Sequence, residues 1–293
     1  MKIATLVTVV LPLIGLVAGV ILIWPIGFGW VSLALLLVMY ILTGLGITVG
    51  YHRLFTHRSF ETGPVVTATL GILGSMAVEG PLLNWVATHR KHHQHSDHDE
   101  DPHSPHSHGA GLVNFLKGLV HSHLGWMLGS RNTPDIQRYS PDLAGNRLIR
   151  FVSKAFPLWV VLGLVLPAAI GGLLTMSWSG VLLGFIWGGL VRIFLLHHVT
   201  WSINSVCHIW GTRPFESHDE SRNNAILGVL AFGEGWHNNH HAFPTSARHG
   251  LRWWEFDSSY LVIRGLEMLG LARKIRVPAP ERVEQKRRGR PIA

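Results

Sequence analysis

One cysteine in 293 residues excludes an internal disulfide, and Cys207 alone leaves no thiolate set for an iron–sulfur cluster or a cysteine-rich structural zinc. Charge is scarce too, with 14% Asp, Glu, Lys and Arg against the roughly 25% of an ordinary soluble domain. That scarcity argues against disorder, and the 32 unpatterned glycines and 12 tryptophans exclude a collagen-like repeat or a coiled coil. A hydrophobic content of 47% points to a membrane protein. What the chain has in excess is histidine, 20 residues in all.

The places without charge define the topology. Residues 3–51 form a run of 49 positions with no charged or imidazole side chain, interrupted by Pro25, Gly27 and Gly29. A span takes about 20 residues, so this run predicts two helices, roughly 3–24 and 28–51. It is too long for the apolar part of a cleavable signal peptide, and none is expected. A second run of 37 residues between Lys154 and Arg192, broken near Ser177 to Gly180, predicts spans near 156–174 and 181–196. Neither connection within these hairpins contains Lys or Arg, so the positive-inside rule assigns all 25 basic residues to the cytoplasmic side.

The expected fold is therefore an all-α membrane protein with four transmembrane helices in two hairpins and a cytoplasmic helical cap. The first hairpin is 1–51 and the second, with a helical extension, 155–208. Cytoplasmic segments occupy 52–154 and 209–293, the latter ending in a basic tail from Glu281 to Arg290. Residues 64–83 are apolar but carry Glu79 and Pro81, and are read as a helix at the membrane interface.

The histidines support that reading. His52 and His57 form an H-x4-H where the second span ends. On an α-helix this offset separates side chains by about 140°, which predicts a broken backbone or approach from different sides. His89, His92 and His93 form an H-x-x-H-H, and so do His237, His240 and His241; each set spans about 100° of a helical face. Asn204 and His208 are i,i+4 neighbours after the fourth span. One such cluster alone reads as a solvated patch, but their conjunction on one side of the membrane points to metal. Nine imidazoles exceed what one ion accepts, so two metals are expected, and His57 can share a site with His89 only if 64–83 does not cross the bilayer. Imidazole suits zinc, copper, nickel and iron; nine ligands argue against a closed four-ligand zinc site, and a redox pair, iron first among the candidates, fits a site beside a hydrocarbon substrate.

The other histidines read differently. His95, His98, His103, His106 and His108, with Asp97, Asp99, Glu100 and Asp101, look like a solvated surface loop. His121 and His123 are read as packed or loop-orienting residues, and His197, three helical turns before His208, first as an ordinary packed histidine, with lining the face above the metals as the second reading. Glu234 and Asp101 flank the clusters, suited to accept N–H bonds from ligand imidazoles. Trp236, Trp253 and Trp254 read as interfacial anchors.

The segments GITVGYHRLFTHRSF (46–60), HRKHH followed by DEDPHSP (89–105), HSHLGWM (121–127), WSINSVCHIWGTRPF (201–215) and GEGWHNNHHAFPTSARHGLRWWEFD (233–257) resemble the integral-membrane fatty acid desaturases. Within that family they resemble specifically the bacterial delta-9 type related to stearoyl-CoA desaturase and to cyanobacterial acyl-lipid desaturases. The resemblance implies two Fe(2+) ions ligated by His52, His57, His89, His92, His93, His208, His237, His240 and His241, with Asn204 as a catalytic residue holding a water near one iron. It also implies both termini in the cytoplasm of a bacterial inner-membrane protein, and insertion of a cis double bond into an acyl-lipid or acyl-CoA at the expense of O2. No GxGxxG unit or appended haem domain occurs, so a separate electron donor is expected, ferredoxin or a small cytochrome. The net charge of +8 suits an acidic donor as well as anionic membrane lipids; no nucleic-acid partner is expected. The alternative is a membrane di-iron hydroxylase acting on a lipid or alkane. A metal transporter would place ionisable ligands near the bilayer midplane, where these hairpins have none before Arg192 and His197.

Overall fold

The computed structural model describes residues 2–129 and 135–287; the end of the basic tail, from 288, lies outside the described residues. Four helices are long and apolar enough to cross a membrane: Thr5–Ile26, Trp30–Thr56, Phe156–Thr175 and Trp178–His208. The first two, containing α1 (Lys2–Ile26) and α2 (Trp30–Leu45), are joined across Gly27, whose φ of 87° is one that glycine adopts without a Cβ penalty. The other two are α9 (Phe156–Thr175) and the helix opened by α10 (Trp178–Leu183). Between them the chain turns at left-handed Met176, and the Ser177 hydroxyl accepts the Gly180 N–H to start α10.

The second and fourth spans run past their expected ends at 51 and 196, reaching Thr56 and His208. Each contains a π-helical stretch, Gly46–Thr56 and Gly184–Val191, the latter leading into α11 (Arg192–Ser205). Small residues let these segments approach their neighbours closely. A Cβ on Gly184 would collide with the Pro167 carbonyl of α9, and one on Gly46 with the Gly74 backbone of α3 (Pro64–Met76). Arg192 is fully buried in this bundle without a carboxylate. Its guanidinium donates to the carbonyls of Gly188 (3.2 Å), Met76 (2.7 Å) and Gly163 (3.0 Å), tying α3, α9 and the fourth span together.

Helix α3 has 13 residues, about 20 Å of rise, too short to cross a bilayer core of about 30 Å. It packs on α2, the 46–56 stretch, α8 (Arg147–Lys154) and α9. The chain then turns through Val78 (φ 67°) and Gly80 (φ 109°) into α4 (Leu82–His95). The expected interfacial segment is thus one helix and a turn, and the end of the second span and α4 lie at the same end of the bundle.

The rest forms a cap at that end. It comprises α5 (Leu112–His123), a 3-10 turn at Gly125–Leu128, the short α6 (Ile136–Tyr139) and α7 (Pro141–Ala144), and, after the fourth span, α12 (Ala225–Leu230), α13 (His237–Ala242), α14 (Ser258–Met268) and α15 (Pro280–Gln285). Strand β1 (Glu61–Thr62) pairs antiparallel with β2 (Ala272–Arg273), Glu61 opposite Arg273. Asn146 and Asp257 cap α8 and α14 by accepting backbone N–H groups. A buried cluster of Tyr51, Phe55, Leu82, Val86, Ile149, Val152 and Leu196 joins cap to spans.

Candidate metal centre

The π-helical winding answers the H-x4-H problem. An i→i+5 ladder stacks each residue over the fifth before it, and the His57 N–H donates to the His52 carbonyl at 3.1 Å. The two rings lie 4.7 Å apart between centroids, so no backbone break is needed and that expectation is corrected. His57 and His89 also meet, at 5.5 Å between centroids.

The nine singled-out histidines fall into two groups. His52, His57, His89, His93 and His240 form one, and His92, His208, His237 and His241 the other; within each, one nitrogen per residue lies within 4.8 Å of all the rest. The two H-x-x-H-H helices are shared between the groups. On α4, His89 and His93 join the first and His92 the second; on α13, His240 joins the first and His237 and His241 the second. Facing nitrogens approach to 2.9 Å for His93 and His240, and to 3.1 Å for His52 and His240, His89 and His93, and His208 and His237.

Four carboxylates sit behind these rings. Glu234 lies 2.6 Å from His52 Nδ1, Asp101 3.0 Å from His92 Nδ1 and Asp97 2.8 Å from His208 Nδ1, while Asp219 contacts His241 Nδ1. Each accepts the Nδ1–H and turns Nε2 towards the centre, the arrangement that fixes the tautomer of a metal-ligating histidine. Burial alone would raise the pKa of Asp97, Asp101, Asp219 and Glu234. The adjoining histidines, Arg53 beside Glu234 and the hydrogen bonds reverse the sign, so all four stay ionised. Burial, reinforced by neighbouring imidazoles, pushes His57, His89, His93, His237 and His240 well below the usual histidine range and His241 to about 4. They are neutral near pH 7, the form in which imidazole binds a metal.

The residues fit a metal on an independent ground. His57 Nε2, His92 Nε2 and His241 Nε2 are buried without a hydrogen-bond partner, a costly condition that a cation removes. The donors are all imidazole nitrogens, a set that suits zinc, copper, nickel and iron alike.

A cavity of about 340 Å³ adjoins the centre, its wall including His52, His89, His237, Asn204, Trp85 and Glu79. Asn204 lies on the last turn of α11, half-buried; beyond it the helix tightens to a 3-10 turn at Val206–His208 in place of the expected α-helical continuation. His197 is buried on the same wall, its Nε2–H donating to the Ala77 carbonyl at 2.9 Å. Glu79 accepts the Trp85 indole N–H at 3.1 Å, and burial pushes its carboxyl up to about 7.

Two expectations need correction, and two residues of the site went unnoticed. The 95–108 segment is a solvated loop only in part: His98, Asp99, Glu100 and His106 are exposed, but His103 is 3% exposed and burial takes it down to about 3, Asp97 and Asp101 hold the rings of His208 and His92, and His106 Nε2 donates to the His208 carbonyl. Trp236 is 5% exposed and donates to the Phe256 carbonyl, so it is a core residue; Trp253, at 90% exposure, does stand free as an anchor would. His249, passed over in the sequence, is buried against the site with Nδ1 3.3 Å from Glu234, its ring 4.4 Å from that of His240. It sits in SARHG with no histidine three or four positions away, so periodicity offers no signal for it. Arg53 was missed likewise; it is fully buried and bridges Glu234 (2.6 Å) and Asp257 (3.1 Å).

Comparison with known proteins places this geometry in context. Residues 5–268 match the family model described as fatty acid desaturase. The chain is 42% identical to a hex-5-enoyl-[acyl-carrier protein] acetylenase of Moorena producens over 95% of this chain and 87% of that one. It is 41% identical to an sn-1 stearoyl-lipid 9-desaturase of Anabaena variabilis, covering 86% of this chain and 87% of the other. With the delta-9 acyl-lipid desaturase 1 of Arabidopsis thaliana the identity is 38%, over 87% and 78%.

Proposed function

The chain belongs to the fatty acid desaturase family and is an acyl-desaturating oxidoreductase, and from that premise we propose that it introduces a cis double bond at the ninth carbon of a saturated acyl chain carried by a lipid. The observation that carries the proposal is the contact of two imidazole groups, five and four strong, with one cavity. We assign the five-histidine group to one Fe(2+) and the four-histidine group, with a water held by Asn204, to the other. Bound there, the metal pair supplies the redox chemistry by which O2 and two electrons from an external donor remove two hydrogens from adjacent methylenes.

The protein's part is position and protection. Identical methylenes differ only in where they lie, so selectivity comes from holding the chain in one register along the cavity. Trp85, Ile47, Val78, Pro81, Phe156 and Trp201 supply its apolar wall. Glu234, Asp97, Asp101 and Asp219 hold the rings in orientation, and Asn204 adds a polar group without adding charge. The metal-facing end, both termini and the donor's docking face belong on the cytoplasmic side of a bacterial inner membrane, by the distribution of basic residues. Ferredoxin or a small cytochrome is the donor the basic balance favours.

The test is expression in a host lacking unsaturated fatty acids, with mass spectrometry of the extracted lipids. A double bond at the ninth carbon is expected; a hydroxylated chain without unsaturation would replace this reading with that of a membrane hydroxylase.

A further inference from the structure

Helix α5 is built inside out. Its inward side carries Gly118, packed where a Cβ would strike the Pro105 carbonyl, buried Ser122, and His123, whose nitrogens lie 3.0 Å from Ser205 Oγ and 3.0 Å from His198 Nδ1 on α11. Its outward side carries Leu112, Val113, Phe115, Leu116 and Val120, with Leu112 74% and Val120 58% exposed. A cap helix surrounded by water shows the reverse pattern. This one flanks the last turns of the fourth span, so its bare face continues the lipid-facing surface of the bundle. Twelve residues rise about 18 Å, too short to cross and suited to lying along the headgroup–acyl boundary.

Where α5 ends, the chain enters the Gly125–Leu128 turn, and Trp126 and Met127 form part of the cavity wall together with Thr5 and Thr8 from the first turns of α1. The same cavity reaches His52 and His89. Lipid-facing helix, turn, cavity and histidines are therefore consecutive along one path.

We propose that α5 lies in the membrane interface and that an acyl chain still attached to its bilayer lipid enters sideways, between the 125–129 turn and the first turns of α1. This rests on the acyl-lipid reading above and specifies its route. A chain taking it passes from hydrocarbon into an apolar cavity without crossing water, whereas a water-borne thioester would have to enter elsewhere. The occupant of the α5 face is the bilayer itself.

Two measurements test this without requiring turnover. Single cysteines at Val113, Leu116 and Val120, in a Cys207→Ser background and carrying an environment-sensitive fluorophore, are placed in phosphatidylethanolamine–phosphatidylglycerol vesicles with brominated acyl chains. At least twofold quenching is expected there and none at a cysteine replacing Thr245. An unquenched, water-like signal at the three sites, or shielding that proves to come from a second copy by cross-linking, overturns the placement. In the second, wild-type protein in the same vesicles is irradiated with a phospholipid bearing a diazirine in its sn-1 chain. Adducts on Trp126, Met127 or Thr8 are expected, reduced at least fivefold in Leu116→Asp/Val120→Asp. Absence of lipid adducts at these residues, or adducts insensitive to the double variant, overturns the route. Adducts without a double bond at the ninth carbon of the cellular lipids would keep the route and sink the proposed substrate and position.

Discussion

Asp97 and His208, 111 positions apart, meet at 2.8 Å between Oδ2 and Nδ1, and the same oxygen accepts the backbone N–H of Glu220 at 2.9 Å. The other carboxylate oxygen accepts the Ser104 hydroxyl at 2.8 Å. One side chain thus aligns a ligand ring at the end of the fourth span with the loop before α5. Loss of such a carboxylate typically costs about 10- to 100-fold in metal affinity. Asp97→Asn should weaken iron binding in the four-histidine group by about that factor and leave the five-histidine group loaded, measured by chelator competition with metal analysis.

The sharing of each H-x-x-H-H between two groups makes adjacent residues separable. His92→Ala should leave a protein holding about one iron, bound in the five-histidine group, because the second group falls to three imidazoles. His93→Ala leaves four imidazoles in each group and should retain more metal. Elemental analysis with Mössbauer spectroscopy distinguishes the species; equal loss in both variants would mean the two helices do not divide as drawn.

Glu79 predicts a pH dependence of stability. Its carboxyl moves from 4.5 to about 7 on folding, because burial disfavours the charged form. The stabilising contribution is complete below the unfolded value and is lost as pH rises through the folded one. Glu79→Gln removes this loss, so its advantage over the parent should grow by about 2 kcal/mol between pH 5 and 7.5. Thermal melting in detergent at the two pH values reads the difference.

Arg192 holds three carbonyls from three elements, with no carboxylate partner among the described residues. Truncation leaves those acceptors dry, at about 1–3 kcal/mol each where nothing replaces the bond. Arg192→Ala should therefore lose at least about 3 kcal/mol and loosen α3 first, seen as faster amide exchange at Met76 and Ala77. Arg192→Lys should recover only part of this, since one ammonium cannot span the three positions.

The spans were legible because lipid imposes a composition: residues 3–51 and 155–191 exclude charge, and all four helices appear there. The nine imidazoles were legible because paired histidines at helical spacing are rare and were counted together. The missing parts are those that spacing does not encode. Reading 52 and 57 with an α-helical period predicted a break, where the glycine-rich 46–56 stretch winds as a π-helix instead. The 95–108 segment has the composition of a solvated loop, yet Asp97 and Asp101 are drawn inward by rings from distant helices. His249 and Asp257 reach the centre only through folding of the 233–257 region around Glu234, and Arg53, beside His52 in the sequence, is tied to the site by its ion pairs with Glu234 and Asp257 from that region.

The division of ligands also orders the making of the protein. A chain that has grown through His208 possesses four of the five imidazoles of one group and two of the four of the other. Neither set closes until α13 has been made, after the residues of both hairpins. With the proposed iron pair, complete loading is expected only once both hairpins have been made, and a cell starved of iron should accumulate membrane-inserted apoprotein, read by metal analysis of the membrane fraction.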